Sequence, residues 1–123
     1  MSHLDRNFAP GSGKLLEFTK STTCYVELDH FGIEVSHYQN NLQFDFPSDA
    51  QRIQEVKQLV DNGFADRVLI AHDVHTRHRL LKYGGHGYGH ILENIVPKMM
   101  DRGISKEVVR KILVDNPKRW LAF

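Results

Sequence analysis

Three observations predict an α/β fold with parallel strands and flanking helices. The segments CYVELDH (24–30) and RVLIAHD (67–73) are β-branched, aromatic or continuously apolar, as strands buried on both faces of a parallel sheet must be. A strong helix signal lies between them, giving the strand–helix–strand order of a right-handed crossover. Each strand is also followed by a connection, 31–47 and 74–88, longer than the roughly two to six residues usual for such loops. Long loops at the carboxyl ends of parallel strands are where α/β proteins place their chemistry.

The elements follow in order. Met1 to Leu4 reads as a very short strand end, and GKLLEFTK (13–20) as a helix with Leu15, Leu16 and Phe18 to pack. The helix between the strands opens on a capping box, Ser48 with Gln51, carries an apolar stripe of Ile53, Val56, Leu59 and Val60, and stops at Gly63. After the second strand, LKYGGHGYGH (81–90) is a glycine-rich loop. HILENIVPKMMDR (90–102) follows, with Pro97 marking a kink or a restart. A last helix is expected from Ser105 to about Asp115, ended by Asn116-Pro117, with KRWLAF (118–123) as a short packed turn.

Composition narrows the function classes. A chain of 123 residues with 41% hydrophobic and 25% charged residues is ordinary for one globular domain. A net charge of +1 with interspersed signs gives no nucleic-acid footprint. No apolar run reaches the roughly 18 residues of a membrane helix, and MSHLDR lacks the pattern of a signal peptide. Cys24 is the single cysteine, so no disulfide framework is expected and a reducing, cytoplasmic setting fits.

The chemistry gathers at the strand ends. Asp29, His30, His72 and Asp73 fall on one rim of the predicted sheet. A carboxylate ending a buried strand is costly unless it is paired, hydrogen-bonded or bound to metal, so Asp73 is the sharpest candidate, as ligand, general base or helix cap. Asp29-His30 is a second acid–imidazole pair, either a structural hydrogen bond or a proton relay with Asp73. Five of the 8 histidines lie between His72 and His90, but Arg77 and Arg79 stand among them and glycines interrupt the His86/His90 spacing. A zinc site built from those five alone is not expected. No phosphate loop, nucleophile elbow or cysteine-rich zinc motif is present.

In order and spacing, SHLDR (2–6), ELDHFG (27–32), VLIAHD (68–73), KYGGHGY (82–88), VP (96–97) and NPKRWL (116–121) resemble the C-terminal third of the phosphotriesterase family, within the amidohydrolase superfamily. The animal, phosphotriesterase-related branch is the nearest likeness. The resemblance implies that residues 1–123 form the C-terminal βα units of a (β/α)8 TIM barrel, an incomplete barrel fragment. It implies a hydrolase with two divalent metals, most commonly zinc, at the carboxyl rim. By this likeness His3 is a ligand of the more exposed metal. Asp73 is a ligand of the more buried one and takes up the proton of the attacking water. His30 relays that proton outward with Asp29 beside it. Arg6 departs from the acid that bacterial triesterases carry there, which weakens any organophosphate activity.

The resemblance also defines what is missing. A full barrel needs about 250 residues, and the family's strand-one His-x-His, bridging lysine and strand-five histidine have no counterpart here. His3 and Asp73 would then leave each ion one protein ligand, whereas tight zinc sites have about three or four. The expectation is weak zinc binding and no hydrolysis by this chain alone, with open sheet edges favouring homo-oligomers or aggregation. The substrate is expected to be a small ester, lactone or N-acyl amide, touched by Asp29 and Arg77, its carboxylate or ester group meeting a cationic rim at Arg77 and Arg79. The competing reading is a noncatalytic α/β binding protein on the same scaffold.

Overall fold

In the computed structural model, which describes residues 1–36 and 41–122, two parallel strands form the centre: β1 (Val26–Leu28) and β2 (Val68–Ile70), in register Val26 with Val68 and Leu28 with Ile70. The ladder continues past both strands, because Ala71 N–H donates to Leu28 O and Phe31 N–H to Ala71 O, each at 3.2 Å. On the outer side of β1, Met1 makes both bonds of a parallel bridge. Its nitrogen donates to Tyr25 O at 2.7 Å and its carbonyl accepts from Glu27 N at 3.1 Å. The expected strand end is thus present as a single bridging residue. The four residues 37–40 of the long 31–47 connection, and Phe123, lie outside the described residues.

Helix α1 spans Lys14–Ser21 and α2 spans Asp49–Asp61. The capping box forms: Ser48 Oγ accepts from Gln51 N at 3.3 Å, and Gln51 Oε1 accepts from Ser48 N at 2.8 Å. The stop is a Schellman motif at Gly63 (φ 84°), with Phe64 N–H reaching Leu59 O at 2.9 Å and Gly63 N–H reaching Val60 O at 3.0 Å. Ile53, Val56 and Leu59 turn inward into one cluster with Val26, Leu28 and Val68, and Ile95, Met99, Ile104 and Ile112 complete it.

The C-terminal helices correct one expectation. Asn116-Pro117 does not end the helix. The chain runs as α4 (Lys106–Arg110), a π turn (Lys111–Asp115) and α5 (Asn116–Trp120). The same device stands before Pro97, where a π turn (Ile91–Ile95) leads into α3 (Val96–Asp101). In each case the residue before proline bonds five residues back, Val96 to Ile91 O and Asn116 to Lys111 O. That widened turn gives room to a ring that would clash in a regular α-helix. The continued helix carries Asn116 into the core, where its Nδ2 donates to Ala65 O and Val68 O, both at 2.8 Å. The last turn is not packed as expected, since Trp120 and Leu121 are exposed. No described helix is long and apolar enough to cross a membrane.

Candidate active site

The parallel strands deliver their polar ends to one rim. Asp29 and His30 follow β1, Asp73 follows β2 by three residues, and His3 follows the bridging Met1. Among the described residues, the only non-glycine positions with positive φ are His3 (58°) and Asp73 (49°). A left-handed residue that is not glycine carries about 1–3 kcal/mol of strain, and such strain collects at functional sites. Here it falls on both residues named as metal ligands by resemblance.

His3, Asp29 and His30 present ligand atoms that all lie within 4.8 Å of one another. His3 Nδ1 is 2.8 Å from Asp29 Oδ2, out of alignment for a hydrogen bond. His3 Nδ1 and Asp29 Oδ1 are both buried polar atoms without a hydrogen-bond partner. His30 Nδ1 lies 2.7 Å from Asp5 Oδ1, while its Nε2 faces Asp73 Oδ2 at 3.7 Å. Burial by itself would raise the Asp5 pKa. The hydrogen bond and charge of His30, with the charge of Arg52, outweigh it and hold the carboxyl below its usual range. An ionised Asp5 only accepts, so His30 carries its proton on Nδ1 and keeps Nε2 for the Asp73 side.

Above this floor opens a cleft of about 560 Å³, lined by Arg6, His30, Phe46, Asp73, His78 and Arg79 among others. Arg79 donates to Asp73 O and, at 3.3 Å, to Asp73 Oδ2. Its NH1 also lies 2.8 Å from His75 Nδ1. Arg77 does not line the cleft; its guanidinium stands 5.8 Å from the Tyr83 ring centroid. Of the two arginines read as a cationic rim, Arg79 is therefore the one in place. Asp29, read as a substrate contact, is 5% exposed beneath the cleft and bonded to His3 N at 3.3 Å.

The histidine-rich stretch forms a separate group. His72, His86 and His90 pack with ring centroids 5.8, 6.3 and 5.7 Å apart. His72 Nε2 accepts from Ile91 N at 3.0 Å, and His90 Nε2 meets Asp49 Oδ2 at 2.7 Å. Burial, then the neighbouring His86 and His90, push His72 down to about 4. One residue of this network escaped the sequence reading, Arg52. Arg52 did leave a trace: it shares the inward face of α2 with Ile53, Val56 and Leu59, an unusual place for a charge.

A cleft at the carboxyl rim of parallel strands, lined by imidazoles and carboxylates, lies where α/β folds place their chemistry. The model of the phosphotriesterase family matches residues 1–121, and the chain belongs to that family. It is 58% identical over 123 residues to a Danio rerio protein named N-acetyltaurine hydrolase and 56% identical to a Nematostella vectensis phosphotriesterase-related protein. All of this chain is matched in both cases, and 35% of each relative, so it spans about a third of their length. Its backbone superposes on a lactonase from Listeria monocytogenes with a TM-score of 0.76 at 26% identity, covering 99% of this chain and 36% of the other. The fold is accordingly a piece of that family's TIM barrel, two parallel strands with their helices.

Proposed function

We propose that this chain forms the C-terminal rim of a metal-dependent hydrolase that cleaves an N-acyl amide bearing an anionic group. The observation that carries the reading is the donor group of His3, Asp29 and His30, with two buried atoms lacking partners, set beside Asp73. Mixed imidazole and carboxylate donors suit zinc, with His3 and Asp73 as the residues that would hold it. When bound, the metal supplies a water acidified for attack and polarises the acyl oxygen.

The remaining steps belong to side chains. Asp73 takes the proton from the attacking water, and His30 Nε2 receives it from Asp73 across the 3.7 Å gap. Asp5 stabilises the imidazolium that forms, through the 2.7 Å contact at Nδ1. Arg6 and Arg79 place positive charge on the cleft wall, complementary to a sulfonate or carboxylate on the substrate. N-acetyltaurine, named for the Danio rerio relative, has this chemistry: an amide to cleave and an anionic end to hold.

The test exchanges residues 1–123 for the corresponding third of the Danio rerio relative and measures N-acetyltaurine hydrolysis. Metal-dependent turnover, lost on Asp73→Asn, is the expected result. A folded, metal-loaded chimera without activity would contradict the proposal and favour a noncatalytic binding role.

A further inference from the structure

Arg52 is fully buried, with 0% exposure, and every nitrogen of its guanidinium is engaged. Nε donates to Asp5 Oδ2 at 2.7 Å, NH1 to Asp49 Oδ1 at 3.0 Å and NH2 to Ile33 O at 2.9 Å. The rings of Phe46 and Phe31 flank it, 5.2 and 6.0 Å from centroid to guanidinium carbon, and complete its enclosure. A buried charge set of this kind is a weak source of stability, because well-packed hydrophobic residues often serve as well or better. What distinguishes this one is its end point.

Asp5 is the link. Its Oδ2 receives both Arg52 Nε and, at 3.2 Å, the His30 backbone N–H, which leaves Oδ1 aimed at His30 Nδ1. The two donors on Oδ2 fix the carboxylate's rotation, and the carboxylate fixes the imidazole. On its other side Arg52 grips Asp49, whose Oδ1 and Oδ2 accept from Gly32 N at 2.9 and 3.2 Å. Asp49 Oδ2 also meets His90 Nε2 at 2.7 Å. One guanidinium thus joins Asp5, the chain after β1 at Ile33 and the start of α2, and through Asp49 it is linked to His90 at the start of the helix after β2.

We propose that Arg52 is the positioning residue of the cleft: it clamps Asp5 so that His30 holds its proton on Nδ1 and presents a bare Nε2 to Asp73. Without Arg52, Oδ2 retains only the longer bond to the His30 backbone. The carboxylate is then free to turn, and Nδ1 is left with Asp29 Oδ1 at 3.2 Å. Free imidazole side chains favour the opposite tautomer, with the proton on Nε2, so loosening the clamp releases His30 towards it.

The inference rests on His30 as the proton-handling imidazole, but its test reads the ring itself, so a chain that hydrolyses nothing still answers it. The ¹⁵N shifts of the His30 ring, recorded at neutral pH on the 123-residue chain, distinguish a protonated from a bare nitrogen at each position. The wild type is expected to show one tautomer, with the proton on Nδ1. Arg52→Met fills the space without charge and should raise the Nε2–H form from a trace to a major share of the population. Arg52→Gln is the second variant if Met does not fold, with the same expectation. A folded Met or Gln variant that keeps the single Nδ1–H tautomer would overturn the proposal, as would a wild type protonated on Nε2.

Discussion

Gly32 is the point at which the two rim connections touch, and replacing it should separate two physical costs. Its φ is +90°, and a Cβ placed there would stand 2.4 Å from Cγ and 2.6 Å from Cδ2 of His86. Holding an L-residue in left-handed backbone costs about 1–2 kcal/mol. Forcing a ring out of a filled position adds about 1–3 kcal/mol. Gly32→Ala should therefore destabilise the fold by about 2–5 kcal/mol in urea unfolding followed by circular dichroism. The two costs part in a double-mutant cycle. With His86→Ala the ring is gone, so Gly32→Ala in that background should cost only the backbone share, about 1–2 kcal/mol. Equal costs in the two backgrounds, or a single-mutant cost below about 0.5 kcal/mol, would mean that the His86 ring does not oppose a side chain at position 32.

Other expectations follow from the same geometry. Asn116→Ala leaves the buried Val68 carbonyl without its donor and should cost about 1–3 kcal/mol; Asn116→Asp should cost more, since it turns two donations into repulsions, and equal midpoints for wild type and Ala in urea would contradict this. His72 and His86 are both lowered, His72 to about 4, so their neutral rings contribute fully above pH 6.5 and that contribution drains as pH falls towards 4. Thermal midpoints should drop across that window, less so in His72→Gln, which keeps an acceptor for Ile91 N–H; a flat wild-type profile would tell against it. With His3 and Asp73 as its two expected metal ligands, the 123-residue chain alone should lose zinc on dialysis, and stoichiometric metal by elemental analysis would show otherwise.

Much of the architecture was legible because local rules and tertiary demands agree. Ser48 and Gln51 cap α2 as their spacing requires, and the apolar runs before His30 and His72 form the paired strands. The rim followed from them, since residues that end parallel strands share one edge. Pro117 misled because a proline breaks an isolated helix, whereas here a π turn accommodates it and the burial of Asn116 holds the next turn in place. Arg77 and Arg79 could not be ranked from sequence, because a single turn of 3₁₀ helix decides which one meets Asp73. Arg52 was hidden for a related reason. Its partners, Asp5 and Asp49, lie 47 and 3 residues away, and only the folded chain brings the distant one against it.

Metal is expected to meet the strand-end rim rather than the histidine-rich stretch. Zinc titration of the ¹⁵N-labelled chain, followed through its imidazole nitrogens, tests this most directly. His3 and then His30 should respond while His72, His86 and His90 hold their shifts. A response confined to His72, His86 and His90 would contradict it.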